Sequence, residues 1–158
     1  MRLFLKNLLF TIVVPGSVAV LVPLLVAGDR PRASGAGLAL ALVLLGVGAA
    51  IYAWCVWDFA TFGGGTPAPI DAPKRLVVRG LYRFTRNPMY VGVLAVILGW
   101  AAYFQSASLV LWAALVFAGF NAFIRLYEEP HLAREFGSEY SQYRAEVGRW
   151  LPRVSRRR

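Results

Sequence analysis

The sequence predicts an all-α, polytopic membrane protein with four or five transmembrane helices and an amphipathic helix at its C-terminal end. The 158 residues are 58% hydrophobic and only 16% charged, and several long apolar runs contain no charged residue. The net charge of +9 is concentrated between and after these runs. A disordered basic tail lacks such apolar content, and a soluble nucleic-acid-binding protein carries more charge. We therefore expect membrane lipids as partners and no nucleic acid.

The first apolar run predicts a transmembrane helix over about residues 7–27. A secretory signal peptide is the alternative, because Arg2 and Lys6 precede the run, but its length exceeds the ~7–15 apolar residues of such signals. Pro15 and Pro23 should kink this helix. A membrane helix tolerates proline when a neighbouring helix satisfies the freed backbone carbonyl.

Three further spans follow, over about residues 36–60, 88–105 and 108–127. The second of the four spans contains small residues, among them Gly46 and Gly48, that allow close approach of another helix. The third and fourth spans are joined by a short polar turn, so we expect a tight helical hairpin.

The C-terminal amphipathic helix is predicted over about residues 130–148. Its apolar side chains recur at steps of three or four residues: Leu132, Phe136, Tyr140, Tyr143, Val147 and Leu151. Because it follows a span directly, we expect it to lie at the cytoplasmic interface or to cap a site there.

The distribution of cations predicts the orientation of the chain. With four spans, both termini and the loop between the second and third spans share one side. That side holds every Lys and Arg except Arg30 and Arg32. The positive-inside rule therefore predicts a multi-pass integral membrane protein with both termini in the cytoplasm. We expect residues 1–158 to form one membrane-embedded domain.

Several common chemistries have no motif in this chain. Cys55 is its single cysteine, so we expect neither an internal disulfide nor a cysteine-ligated metal. There is no Gly-x-Gly-x-x-Gly fingerprint, no phosphate-binding P-loop and no His-Glu-x-x-His zinc motif. The sequence thus excludes the soluble nucleotide-binding folds, and no metal is predicted.

Polar residues do cluster where the third and fourth spans meet the cytoplasm. Pro88 fits the first turn of the third span, whose N-terminal N–H groups attract an anion such as a carboxylate. Glu128 and Glu129 can accept hydrogen bonds from ribose hydroxyls or an ammonium group, and nearby tyrosines offer faces for a purine or a sulfonium. Such a pocket suits S-adenosylmethionine. Ordinary interfacial ion pairs are the alternative interpretation.

Two motifs in the second half of the chain carry a resemblance to a known family. The stretch 80–92, GLYRFTRNPMYVG, is similar to the G-x-Y-x-x-x-R-H-P-x-Y-x-G motif of the isoprenylcysteine carboxyl methyltransferase family and its phospholipid N-methyltransferase relatives. The stretch 128–152 resembles that family's E-E-x-x-L, F-G-x-x-Y-x-x-Y and final proline. Together the motifs cover roughly the last half of the chain, in the family's order and spacing.

The resemblance implies an integral membrane methyltransferase that binds S-adenosylmethionine at the cytoplasmic ends of its last helices. The cofactor-binding residues that it implies are Arg86, Asn87, Pro88, Tyr90, Gly92, Glu128 and Glu129, and Tyr82, one of the nearby tyrosines, is added to this set for its aromatic face. Asn87 stands where the family has histidine. Since asparagine does not titrate near pH 7, an acid–base role at this position is put in doubt, whereas a hydrogen bond to the cofactor is not.

The implied reaction is in-line transfer of the sulfonium methyl group to a lipophilic acceptor that enters from the bilayer. A carboxylate acceptor needs no base, whereas a thiol or an amine must lose a proton, for which Glu129 and His131 are the candidates. Arg144 or Arg149 could hold an acceptor carboxylate. The sequence does not choose among carboxylate, thiol and amine.

Two other functions fit part of the pattern. Membrane sterol reductases that use NADPH share a looser form of the signature, but this chain is short for enclosing both a dinucleotide and a steroid. A non-enzymatic four-helix membrane protein is the second alternative. It leaves two interfacial glutamates without a use, although such residues are costly at a membrane.

Overall fold

The computed structural model describes residues 2–28, 30–64 and 74–153, and the regular elements within these ranges are helical. The α-helices are α1 (Arg2–Val13), α2 (Val22–Ala27), α3 (Gly35–Asp58), α4 (Pro88–Tyr103), α5 (Ala107–Phe123) and α6 (Glu129–Glu146). Wider π-helical turns at Ser17–Leu21, Phe59–Gly63 and Ile124–Glu128 continue α1, α3 and α5, and a 3₁₀ turn, Gly80–Arg83, precedes α4. The predicted all-α class is confirmed.

Three helical stretches in the described ranges are long and apolar enough to cross a membrane. They are Leu8–Ala27, Gly35–Gly63 and Ala107–Glu146. The apolar helix α4 has 16 residues and is therefore about 24 Å long, shorter than a usual span. The predicted total of four or five spans, and the single domain over residues 1–158, stay predictions.

Pro23 explains the π-helical turn in the first stretch. In the wider register of that turn, the N–H of Val22 bonds to the carbonyl of Ser17, five residues back. Proline has no N–H to give the next carbonyl, that of Val18. The indole Nε1 of Trp112, on α5, donates to this oxygen instead, at 3.0 Å. The expected satisfaction of a freed carbonyl by a neighbouring helix is present here.

Helices α3 and α4 form the most extensive helix pair, and Gly48 and Gly92 lie at their crossing. A Cβ atom on Gly48 would lie 2.7 Å from the carbonyl oxygen of Gly92, and one on Gly92 would lie 2.9 Å from that of Gly48. Both positions therefore need glycine. Of the two glycines expected to allow close packing, Gly48 does so, whereas a Cβ atom on Gly46 would meet no atom within 4 Å.

Helix α6 continues α5 through the π-helical turn and is kinked at Gly137, whose φ of 52° lies in the left-handed region. It ends at Glu146, two residues before the predicted boundary. Five of the six residues of the predicted apolar stripe pack into one cluster with Leu76: Leu132, Phe136, Tyr140, Tyr143 and Val147. The prediction was wrong for Leu151, which lies beyond the end of the helix and is exposed. Through this cluster, helix α6 folds over the end of the bundle at which α4 begins and α5 ends, which we call the site end.

Candidate functional site

A four-residue segment that follows α6, residues 147–150, is fixed to the residues that precede α4; we call it the C-terminal strap. The backbone N–H of Arg86 donates to the carbonyl of Gly148 at 2.9 Å. The hydroxyl of Thr85 and the amide Nδ2 of Asn87 both donate to the carbonyl of Arg149, at 2.9 and 3.0 Å. The strap thus covers the start of α4. The side-chain amide of Asn87, which does not titrate, donates a hydrogen bond to the strap.

Glu129 joins two arginines that lie far apart in the sequence. Its Oε1 accepts from Nη1 of Arg86 at 2.9 Å, and Arg149 contacts both carboxylate oxygens, Nε to Oε1 at 2.7 Å and Nη2 to Oε2 at 2.9 Å. Arg86 also donates to the hydroxyl of Tyr140 at 2.9 Å. The side chains of Arg86 and Glu129 are buried, so these charge-assisted bonds fix the segment before α4, helix α6 and the strap together.

Glu128 has a different partner. Its Oε2 accepts a hydrogen bond from the hydroxyl of Tyr90, on α4, at 2.8 Å. The ring of Tyr90 packs on that of Phe120, on α5, with 4.5 Å between the ring centres. Glu128 is therefore bound to α4, and through the ring of Tyr90 it is connected to α5, whereas Glu129 is bound to the two arginines.

The two adjacent carboxyl groups, which lie beyond the apolar part of α5, differ in acidity. Burial raises the pKa of Glu128 above its ordinary value of 4.5, and the hydrogen bond from Tyr90 offsets this only in part. Burial also acts to raise the pKa of Glu129, but the hydrogen bond from Arg149 and the charges of Arg86, Arg149 and Arg144 outweigh it, so this pKa falls below 4.5. Glu128 is thus the stronger base of the pair.

These groups line a small polar cavity at the site end. Its volume is about 20 Å³, which is room for about one water molecule. Its lining residues are Arg86, Asn87, Ile124, Glu128, Glu129, Leu132, Tyr140 and Tyr143. Four of the predicted cofactor-binding residues, Arg86, Asn87, Glu128 and Glu129, therefore meet at one cavity.

Other predicted cofactor-binding residues lie outside its lining. The ring of Tyr82 packs edge-on against Phe59, and its backbone carbonyl accepts a bond from Tyr143. Gly92 lies at the crossing with α3. Pro88 is buried and begins α4, as the sequence predicted. Tyr90 reaches the cavity only through its hydroxyl bond to Glu128.

The remaining predicted residues occupy three different places. His131 stacks on Tyr127, with 6.0 Å between the ring centres, and does not line the polar cavity. Arg144 is exposed on α6. Arg149 is bound to Glu129, so its guanidinium is already engaged by a carboxylate.

Two features were missed by the sequence analysis. The first is the set of hydrogen bonds to the strap. Their acceptors are backbone carbonyls, which every residue type has, so the sequence does not reveal them. Asp58, at the end of α3, is 1% exposed, and its Oδ1 lies 3.0 Å from Nε of Arg79. Its carboxylate also occupies the space that a side chain on Gly80 would need, and Gly80 has a φ of 57°. The one signal for Asp58 was its position as the first charge after a long apolar run.

Comparison with known proteins gives a family match. The model of the phospholipid methyltransferase family matches residues 36–139, about two thirds of the chain. This region includes all of α3 except its first residue, all of α4 and α5, and both glutamates of the polar cavity. No solved structure matches the chain.

Two curated proteins are similar to parts of the chain. Methanethiol S-methyltransferase 1 of Bradyrhizobium diazoefficiens is 36% identical over 80 residues, which cover 51% of this chain and 27% of that protein. An uncharacterized protein of Haemophilus influenzae is 32% identical over 63 residues, which cover 40% of this chain and the whole of that protein. The match thus spans about a quarter of the named relative.

Proposed function

The chain belongs to the phospholipid methyltransferase family, and from this premise we propose that it is an integral membrane methyltransferase that uses S-adenosylmethionine. The reaction is transfer of a methyl group to a lipophilic acceptor at the cytoplasmic face of the membrane, which is the face at which we place the site end. The family match favours this function over NADPH-dependent reduction and over a non-enzymatic role.

The observation that carries the proposal is the meeting of Arg86, Glu128 and Glu129 at one cavity of a methyltransferase-family chain. The side chains there fit the cofactor's chemistry. Carboxylates suit its ribose hydroxyls and ammonium group, and the guanidinium groups of Arg86 and Arg149 suit its carboxylate. The cavity is smaller than the cofactor, so binding must displace side chains, and the partly exposed Arg149 is the one we expect to move.

The bound cofactor supplies an electrophilic methyl group, and the residues of this chain supply position and a water-poor surrounding. Burial of Arg86 and Glu129 gives the cavity a rigid polar wall, because each has hydrogen bonds to more than one partner. Such positioning and the exclusion of water are the main sources of rate for a transfer that needs no covalent intermediate.

The acceptor belongs to one of three chemistries, a carboxylate, a thiol or an amine. The similarity to methanethiol S-methyltransferase 1 favours a thiol. The predicted proton acceptors Glu129 and His131 stay predictions. Glu129 has a lowered pKa and two arginine partners, so it is a weak base, and His131 is stacked on Tyr127.

Calorimetric titration of the purified full chain in lipid nanodiscs with S-adenosylmethionine, and separately with NADPH, tests the proposal. We expect S-adenosylmethionine to bind and Glu129→Gln to weaken it by at least about tenfold, since a charged hydrogen bond is worth ~1.5–3 kcal/mol. Glu139→Gln, an exposed change on the same helix, is the matched control and should leave affinity unchanged. Binding of NADPH alone would overturn the proposal.

A further inference from the structure

The segment that precedes α4 carries a concentration of positive charge outside the polar cavity. Residues 74–83, KRLVVRGLYR, contain four cations and no acidic residue. Lys74, Arg75 and Arg79 are exposed, and we call these three residues the basic patch. None of the three lines the polar cavity, so the proposed methyl transfer gives the patch no role.

Backbone and ring contacts bring the basic patch to the end of the helical stretch that begins with α3. The N–H of Lys74 donates to the carbonyl of Gly63 at 2.9 Å. The guanidinium carbon of Arg79 lies 5.6 Å from the ring centre of Phe62, the residue before Gly63. Lys74 and Arg79 therefore belong to one surface, next to the last turn of this stretch.

Arg79 differs from an ordinary surface cation because a buried carboxylate holds it. Asp58 is 1% exposed, and its Oδ1 lies 3.0 Å from Nε of Arg79. Gly80 lets the chain pass directly over this carboxylate, since a Cβ atom there would collide with it and would lie 2.9 Å from the indole Nε1 of Trp54. The Nε edge of the guanidinium thus faces inward. Its Nη atoms make no hydrogen bond within the described part of the chain, and half of the side chain is exposed.

Membrane orientation by itself does not require this arrangement. The positive-inside preference needs cations on one side of the bilayer, in any conformation. Burying the carboxylate of Asp58, in contrast, is costly, and the ion pair with Arg79 compensates that cost. What the pair provides is a guanidinium group with a fixed direction and free donors. A planar guanidinium of this kind matches two oxygens of a phosphate group.

Exposed aromatic side chains place the basic patch at the level of the lipid head groups. Trp54 and Trp57, one turn apart on α3, are both more than half exposed, and Val78 and Phe84, which flank Arg79 and Arg83, are exposed as well. Tryptophan is enriched at this level of the membrane, and a mixture of exposed apolar and cationic side chains suits the boundary between head groups and acyl chains. The phosphate present at this depth is that of a phospholipid.

The charge balance selects the class of phospholipid. Among the described residues, neither Lys74 nor Arg75 has an acidic partner, and Asp58 balances Arg79. Two of the three positive charges of the patch are therefore uncompensated. A zwitterionic lipid brings its own cationic group to this surface, whereas an anionic lipid does not, and each cation near the surface of an anionic membrane strengthens the attraction.

We propose that the basic patch binds the head group of an anionic phospholipid. Arg79 is the phosphate-binding residue, Asp58 orients it, and Lys74 and Arg75 supply the positive charge that favours an anionic lipid. This inference goes beyond the proposed function, because it requires neither the methyl donor nor the acceptor. It is also narrower than a general affinity for membranes, since it names one surface and one class of lipid.

Native mass spectrometry of the full chain, released from detergent micelles, tests the proposal by titration with dioleoyl phosphatidylglycerol and with dioleoyl phosphatidylcholine. We expect the wild type to bind one phosphatidylglycerol at least about tenfold more tightly than phosphatidylcholine, because two cations of the patch are uncompensated. The affinity for phosphatidylglycerol should weaken as the salt concentration rises.

The double variant Asp58→Asn/Arg79→Gln removes the phosphate-binding group together with its anchor. It leaves no buried unpaired charge and does not alter the net charge, so the general attraction between the chain and anionic lipid is unchanged. We expect its affinity for phosphatidylglycerol to fall at least about fivefold. Arg134→Gln/Glu135→Gln, an exposed pair on α6 whose replacement is also charge-neutral, is the matched control and should stay within about twofold of wild type.

A second variant leaves the ion pair between Asp58 and Arg79 intact. Lys74→Gln/Arg75→Gln should reduce the preference for phosphatidylglycerol over phosphatidylcholine at least about fivefold. Arg125→Gln/Arg134→Gln, which removes two exposed cations outside the patch, lowers the net charge equally and should reduce the preference less than about twofold. In nanodiscs, added phosphatidylglycerol should raise the unfolding midpoint of the wild type more than that of Asp58→Asn/Arg79→Gln, because a lipid bound to the folded chain stabilises it.

Three outcomes would overturn the inference. The first is equal affinity of the wild type for the two lipids. The second is wild-type affinity for phosphatidylglycerol in Asp58→Asn/Arg79→Gln, which would show that the cations act through net charge alone. The third is displacement of phosphatidylglycerol by an equal concentration of inorganic phosphate, which would mean that the patch takes free phosphate. None of these measurements involves S-adenosylmethionine, so the proposed function and this inference fail independently.

Discussion

Arg149 donates two hydrogen bonds, of 2.7 and 2.9 Å, to the carboxylate of Glu129, which lies 20 residues earlier in the sequence. This pairing closes the C-terminal strap over the start of α4, because the carbonyl of Arg149 also accepts bonds from Thr85 and Asn87. One residue thus holds the site together through its side chain and its backbone.

Replacing the Arg149 side chain should destabilise the chain. Arg149→Ala leaves the buried Glu129 with Arg86 as its one remaining cationic hydrogen-bond partner among the described residues, and we expect a loss of about 1–3 kcal/mol in the free energy of unfolding. Arg149→Lys, which keeps the charge but not the two-point contact, should lose less. Thermal unfolding in detergent micelles measures both, with the exposed Arg144→Ala as control. Equal midpoints for Arg149→Ala and Arg144→Ala would contradict the structure.

Glu129 should make stability fall in acid. Its pKa is lower in the folded chain than the ordinary 4.5, so its contribution is present above about pH 4.5 and is lost as pH falls through the folded value. Unfolding midpoints measured between about pH 7 and pH 3 should therefore drop less steeply in Glu129→Gln than in the wild type. Parallel curves would mean that the carboxylate is not ion-paired in solution.

The ionised carboxylate of Glu128 should lower the free energy of unfolding at neutral pH, which is the opposite of the effect expected for Glu129. Because burial raises its pKa, its ionised form opposes folding, and this cost is present at neutral pH and vanishes as the group is protonated in acid. Glu128→Gln keeps an acceptor for Tyr90 and should raise the free energy of unfolding at pH 7 by about 1 kcal/mol. At about pH 4 the gain should shrink. A loss of stability at neutral pH would contradict this assignment.

A methyl group at the crossing of α3 and α4 should be poorly tolerated. Gly92→Ala places a Cβ atom 2.9 Å from the carbonyl oxygen of Gly48, and we expect it to cost about 1–3 kcal/mol. Gly46→Ala, where nothing lies within 4 Å, is the matched control and should be neutral or slightly stabilising. Chemical unfolding in mixed micelles distinguishes the two. Similar midpoints would show that the helices can separate at no cost.

The bond from Trp112 to the Val18 carbonyl should contribute to stability. Trp112→Phe leaves that oxygen unsatisfied beside Pro23, at an expected cost of about 1–3 kcal/mol. Trp100→Phe removes the same ring area, but the indole N–H of Trp100 has no hydrogen-bond partner among the described residues. The difference between the two unfolding midpoints therefore measures the contribution of the hydrogen bond. Equal midpoints would refute the explanation given for the π-helical turn.

Much of the fold could be predicted from residues that lie close together in the sequence. A long uncharged apolar run with no strand alternation can satisfy its backbone groups in a membrane by forming a helix, so the helical class and the approximate limits of α3, α4 and α5 followed from the sequence, whereas the number of spans stays a prediction. Pro88 marked the start of α4 because proline suits the first turn of a helix, and the spacing of the stripe on α6 placed Tyr140 and Tyr143 on one buried face.

The sequence by itself determined an all-helical chain of a membrane methyltransferase family, and it predicted that Arg86, Glu128 and Glu129, which line one cavity in the structure, belong together. Only the tertiary structure decided which partners each of the two adjacent glutamates binds. The π-helical turn before α6 and the kink at Gly137 bring Glu129 to two arginines and Glu128 to Tyr90. Neighbouring residues on a helix point in different directions, so their surroundings, and hence their acidity, depend on contacts that the order of residues does not reveal.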